Sequence, residues 1–114
     1  MRQNILSEKE TALLKGVKFD QGKVRYDLIP ANALHEVARV YTYGAAKYQS
    51  ENWRKGISWK RIFGGLMRHS WAWMRREDAD PESGLPHMAH AAFACFTLLE
   101  YALSQKQFDD RVRP

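Results

Sequence analysis

From Pro86 to Ser104 the chain reads as a helix that is apolar on nearly every face: Ala89, Ala91, Ala92, Phe93, Ala94, Cys95, Phe96, Leu98 and Leu99 crowd together, interrupted by His90 and Thr97. A helix of this kind belongs at the centre of a fold, with other elements around it. The stretch from Met88 to Leu99 is too short and too polar to cross a bilayer. With 114 residues in all, the chain has room for one domain, and the other helices must supply the cover.

Those helices announce themselves by their ends. Ser7-Glu8-Lys9-Glu10 has the form of a capping box, and Leu13, Leu14 and Gly16 suggest a short helix that stops there. Pro30 suits the first turn of a second helix, with Leu34, Val37, Ala38 and Tyr41 as its apolar stripe and an end near Gly44 or Lys47. Ser58 caps a third, from Trp59 to about Arg76, with Ile62, Leu66, His69 and Trp73 on one face. Trp71 and Trp73 are expected in the core. Pro86 opens the last helix, to about Ser104. No strand signal stands out. The expectation is an all-α bundle of about four helices with two long structured polar loops, 18–29 and 47–56. The chain divides into an N-terminal extension (1–17), a helical domain (18–104) and a charged, frayed tail (105–114).

Formal net charge is +5, which suits an anionic partner. A single cysteine, Cys95, excludes a disulfide framework within the chain and fits a reducing compartment. No basic-then-apolar leader opens the chain, so a cytoplasmic protein is expected.

Three groups of residues could carry chemistry. His87 and His90 lie three apart at the start of the apolar helix and so point to one side. His69 sits on the inward face of the preceding helix. The turn between these helices holds Glu77, Asp78, Asp80 and Glu82. Imidazoles and carboxylates at one end of a bundle suit a divalent metal; a polar helix end with carboxylates complementing its dipole is the ordinary alternative. In the first loop Lys18, Lys23 and Arg25 surround Gly22, a combination that suits phosphate oxygens or a plain solvated basic loop. In the second, Asn52-Trp53-Arg54-Lys55-Gly56 offers a ring for a base and cations for phosphate, or simply a tryptophan anchoring a loop.

Taken together, the segments Lys18–Pro30, Tyr43-Gly-Ala-Ala-Lys-Tyr48, Asn52–Gly56, Arg68-His69, Glu77-Asp78, Asp80-Pro-Glu-Ser-Gly84 and His87-Met-Ala-His90 resemble the phage-associated N-terminal domain of dATP/dGTP diphosphohydrolases, over roughly residues 18 to 103. The resemblance implies a phage-encoded, metal-dependent release of pyrophosphate from a purine deoxynucleoside triphosphate. A looser likeness is to the MazG-like all-α pyrophosphohydrolases, in which glutamate pairs on one helix face a Glu-x-x-Asp at the start of the next. Here His87-x-x-His90 stands where that Glu-x-x-Asp would be. Mg²⁺ prefers oxygen donors, whereas histidines suit Mn²⁺, Zn²⁺ or Fe²⁺.

On this reading His69, Glu77, His87 and His90 hold the metal. Glu82, Asp80 and Glu36 are the catalytic carboxylates, and Lys18, Lys23, Arg25, Lys47, Trp53, Arg54 and Lys55 contact substrate. The expected partners are a nucleotide and further copies of the chain, since so small a domain has little core of its own. A nucleotide-sequestering protein without catalysis is the alternative. A nucleic-acid-binding helical domain ranks last, because acidic residues cluster at the histidines.

Overall fold

The computed structural model describes residues 7–8, 16–19 and 21–113. Among them three α-helices form, α1 (Ala31–Lys47), α2 (Trp59–Met74) and α3 (His87–Ser104), with short 3-10 turns at Tyr26–Leu28, Asn52–Lys55 and Lys106–Phe108. The count is therefore three described helices where about four were expected. Of the helix read from the capping box, only Ser7 and Glu8 fall within the described residues, and the rest of it lies outside them. No strand occurs among the described residues; an isolated antiparallel bridge joins Ala79 to Pro86.

Each start has a local cause. Pro30 is the N-cap of α1 at φ −61°, and Pro86 that of α3 at φ −57°; both prolines lack the N–H that a helix start would leave unpaired. Ser58 Oγ accepts the Arg61 N–H at 3.3 Å, as a capping serine should. The end of α2 comes earlier than Arg76. Glu77 N–H bonds to Ala72 O at 3.0 Å and Arg76 N–H to Trp73 O at 2.9 Å, the paired bonds of a Schellman motif. The left-handed position of that motif falls on Arg76, at φ 71°, where glycine is usual.

α3 is central, as its composition requires. Both α1 and α2 pack on it, α2 the more extensively. Val40, Leu85 and Ala89 form a buried cluster, with Tyr43 and Phe93 against it. Buried polar groups on α3 tie down what surrounds it: Thr97 Oγ1 shares a 2.9 Å hydrogen bond with Tyr41 Oη, and Tyr101 Oη donates to Trp53 O. The cover is one-sided, however. Phe96, Leu99 and Leu103 remain 46%, 66% and 76% exposed.

Three expectations are corrected. The buried line of α1 is Val37 and Val40, while Leu34 and Ala38 face solvent. Trp71 and Trp73 are exposed, and the tryptophan buried on α2 is Trp59. Over its described residues, 105–113, the tail is not frayed. Phe108 lies against Gly56, Asp110 Oδ1 accepts the Lys60 N–H at 3.0 Å, and the Arg111 guanidinium lies 4.8 Å from the Trp59 ring centre. Gly56 is required there: its φ is 93°, and a Cβ would clash with the Phe108 ring.

Candidate metal centre and adjoining cleft

The Schellman ending of α2 and the Pro86 start of α3 fix the acidic turn between them. His87 N–H donates to Asp78 O at 2.8 Å, Asp80 N–H to Leu85 O at 2.8 Å and Gly84 N–H to Asp80 O at 2.7 Å. This rigid turn folds back over the first turn of α3 and places carboxylates beside its two histidines.

His69, from the facing side of α2, completes a cluster. The His69 and His90 rings stack at 4.4 Å with 7° between their planes. One donor atom from each of His69, Asp80 and His90 lies within 4.8 Å of the others, a set that could hold a metal ion. His90 Nε2 stands 3.5 Å from Asp80 Oδ2 and 2.7 Å from Ser83 Oγ. Ser83 Oγ also accepts the Leu85 N–H at 3.1 Å and donates toward Asp80 Oδ2 at 3.5 Å. Burial pushes the His69 pKa down to about 4, reinforced by His90, and burial lowers that of His90 too. Both rings are therefore neutral at pH 7, the form that offers a lone pair to a metal.

His87 stands behind His69. Their Nδ1 atoms are 2.8 Å apart, so one must donate. Beyond His87, its buried Nε2 has no hydrogen-bond partner, and the nearest carboxylate oxygen, Glu77 Oε1, is 3.5 Å away. A proton on that Nε2 faces the carboxylate favourably. His87 Nδ1 is then the acceptor, His69 Nδ1 the donor, and His69 Nε2 carries the lone pair. This carboxylate–imidazole–imidazole order is the arrangement that fixes a ligating histidine's tautomer. Glu77, His87 and His69 thus lie in a row, and Asp80 lies beside His69 and His90.

On the α1 side, Glu82 bonds Lys47 Nζ and accepts from Tyr43 Oη at 3.0 Å. Lys47 holds the Glu82 carboxyl below its ordinary range, and Glu82 in turn raises the Lys47 pKa. The Tyr43 ring meets the His90 ring edge-on at 6.3 Å. Glu36 is not brought in; Arg39 holds it at 3.0 Å one turn along α1. Lys18 and Lys23 are exposed, and Arg25 grips Asp27 through bonds of 2.8 and 2.7 Å. Lys55 Nζ bonds Gln49 Oε1, and Arg54 pairs with Glu51 at 3.2 Å while covering the Trp53 ring at 4.4 Å.

Between α1 and α2 lies an open cleft of about 1060 Å³. Tyr41, Tyr48, Trp53 and Phe93 make its aromatic part, and Arg61, Gly64 and Arg68 its α2 wall. Sequence reasoning assigned no role to Arg61, Arg68, Tyr43 or Ser83. The signal available for the arginines was their spacing of seven across Gly64-Gly65.

A family model described as "dATP/dGTP diphosphohydrolase, N-terminal" matches residues 14–111. The chain belongs to this family. It is also 37% identical over 98 residues to a "dATP/dGTP diphosphohydrolase" of Salmonella phage PMBT28, a match that covers 86% of the chain and 33% of the relative. The dATP/dGTP diphosphohydrolase N-terminal match therefore takes in every part of the histidine cluster and the cleft, and the chain spans about a third of the length of that relative. No solved structure matches it. No helix among the described residues is long and apolar enough to cross a membrane.

Proposed function

We propose that this chain is a metal-dependent nucleotide pyrophosphohydrolase that converts a purine deoxynucleoside triphosphate to the monophosphate and pyrophosphate. The observation that carries the reading is the His69–Asp80–His90 donor set, built at the end of a family domain whose relative is called a dATP/dGTP diphosphohydrolase. The mixed nitrogen and oxygen donors fit Mn²⁺, Zn²⁺ or Fe²⁺ better than Mg²⁺. A divalent ion held there would supply Lewis acidity to a phosphoryl oxygen and acidify a water.

The chain's own residues divide the remaining work. His69 and His90 are kept neutral by burial and so keep their lone pairs. Glu77 and His87 orient the His69 ring. Glu82, held ionised by Lys47, stands two residues from Asp80 as an acceptor for the proton of the attacking water. Trp53 offers a stacking wall, with Arg54 and Lys55 beside it, and Lys18, Lys23 and Arg25 add positive potential on the approach of an anionic substrate.

A panel of nucleoside triphosphates incubated with Mg²⁺, Mn²⁺, Zn²⁺ or Fe²⁺, with products identified by mass, tests the reading. Deoxynucleoside monophosphate and pyrophosphate from dATP or dGTP are expected. Intact substrate under every metal overturns it. Binding without turnover would support the second reading, a nucleotide-binding module.

A further inference from the structure

The geometry points to the α1–α2 cleft as the seat of the nucleotide, with Arg61 and Arg68 across the Gly64 gap as its phosphate-binding wall. This inference rests on the proposed activity and adds to it the place and residues that take the triphosphate. The cleft has the volume of a small-molecule site: about 1060 Å³, with aromatic rings in one part and two guanidiniums on one wall. Arg61 and Arg68 are seven residues apart, so they share a helix face at about 10 Å along the axis. Among the described residues no carboxylate forms an ion pair with either. Arg25, Arg39, Arg54 and Arg111 hold acidic partners, while Arg75, Arg76 and Arg113, like Arg61 and Arg68, form no ion pair among the described residues.

Gly64 lies between the two arginines on the same wall and leaves the helix backbone bare. The Arg68 side chain runs back over it, as long helical side chains do: a Cβ at Gly64 would stand 3.6 Å from Arg68 Nη1, and one at Gly65 3.6 Å from Nη2. A guanidinium laid along a helix face without side chains presents its donors to an anion that can approach closely. At the other end, Tyr41 meets Trp53 edge-on at 5.8 Å and Phe93 at 4.5 Å, a surface suited to the π-face of a base.

The cleft and the metal centre share two helices, although none of His69, Asp80 and His90 lines the cleft. Thr42, Gly44 and Ala45 line it from α1, while Tyr43 and Lys47, alternate residues of the same turns, face Glu82 and the His90 side. On α2, Arg68 immediately precedes His69.

Calorimetric titration with α,β-imido analogues of dATP and dGTP in the presence of Mn²⁺ tests this placement. Arg61→Gln and Arg68→Gln should each weaken binding about tenfold or more, the size of a lost charge-assisted hydrogen bond. Gly64→Ala should weaken it as well, while the melting temperature holds or rises, because alanine is the better helix former and meets only ordinary contacts. A purely structural glycine would give the opposite result, a lower melting temperature with affinity unchanged in the folded protein. If the wild type binds an analogue and all three variants bind it within twofold of wild type, the cleft assignment is overturned and the proposed activity stands. If the wild type binds neither analogue, both fall.

Discussion

His69, partly buried, and His90, buried, are neutral in the folded protein because they are withdrawn from water and face one another, and this has a cost in acid. The His69 pKa drops from 6.5 to about 4 on folding. Between those values the unfolded chain binds a proton that the folded chain refuses. The stability contributed by the neutral ring is thus present above about pH 6.5 and is lost as pH falls toward 4. Urea midpoints of the metal-free protein should decline over that window, and His69→Gln should flatten the decline; parallel curves for the two proteins would assign the acid sensitivity elsewhere. His90 makes the complementary case. It stacks on His69 and faces Asp80, so His90→Ala removes a donor and a wall of the site together. Metal content after dialysis against Mn²⁺ or Zn²⁺ should fall to background in that variant, with helical circular dichroism retained. Wild-type uptake would take His90 out of the metal centre.

Helix ends matter more here than helix middles, because they aim the acidic turn. α2 stops in a Schellman motif whose left-handed position is Arg76 rather than glycine. A side chain in that conformation costs about 1–2 kcal/mol relative to the right-handed region. Arg76→Gly should therefore raise the unfolding free energy by up to about 1 kcal/mol, read as a higher urea midpoint. A lower midpoint would mean that the arginine side chain makes a stabilising contact that outweighs the strain. The other end of α2 is held from a distance: Asp110 receives hydrogen bonds from both Ser58 Oγ and the Lys60 N–H. The C-terminal segment is in this way part of the cap of the helix that carries Arg61, Arg68 and His69.

At the scale of the whole molecule, α1 and α2 cover only part of α3. Phe96, Leu99 and Leu103 leave an apolar strip on a helix whose other side is core. A small domain with such a face gains by self-association, and we expect a homo-oligomer, a dimer or a dimer of dimers. Light scattering on the size-exclusion peak should give a multiple of the 13.3 kDa chain mass, and Leu99→Glu should return it to 13.3 kDa. A wild-type mass of one chain at micromolar concentration sinks the expectation.

The signals that act within one helical turn were legible in the sequence alone. Pro30, Ser58 and Pro86 each mark the start of a helix, and the acidic turn between α2 and α3 sits where its residue types place it. The gathering of His69 with His87 and His90 also followed from two short-linked antiparallel helices. What only the tertiary structure decided depends on where α1 and α2 land on α3. Their tilt and rotation make Val40 buried and Leu34 exposed, turn Trp71 and Trp73 outward, and leave Glu36 with Arg39 while Asp80 joins the histidines. The same placement opens the cleft beneath Arg61 and Arg68 and brings the tail back onto Gly56 and Trp59. Periodicity states which residues share a helix face. Which face is covered is settled by packing between residues tens of positions apart, and no local pattern encodes that.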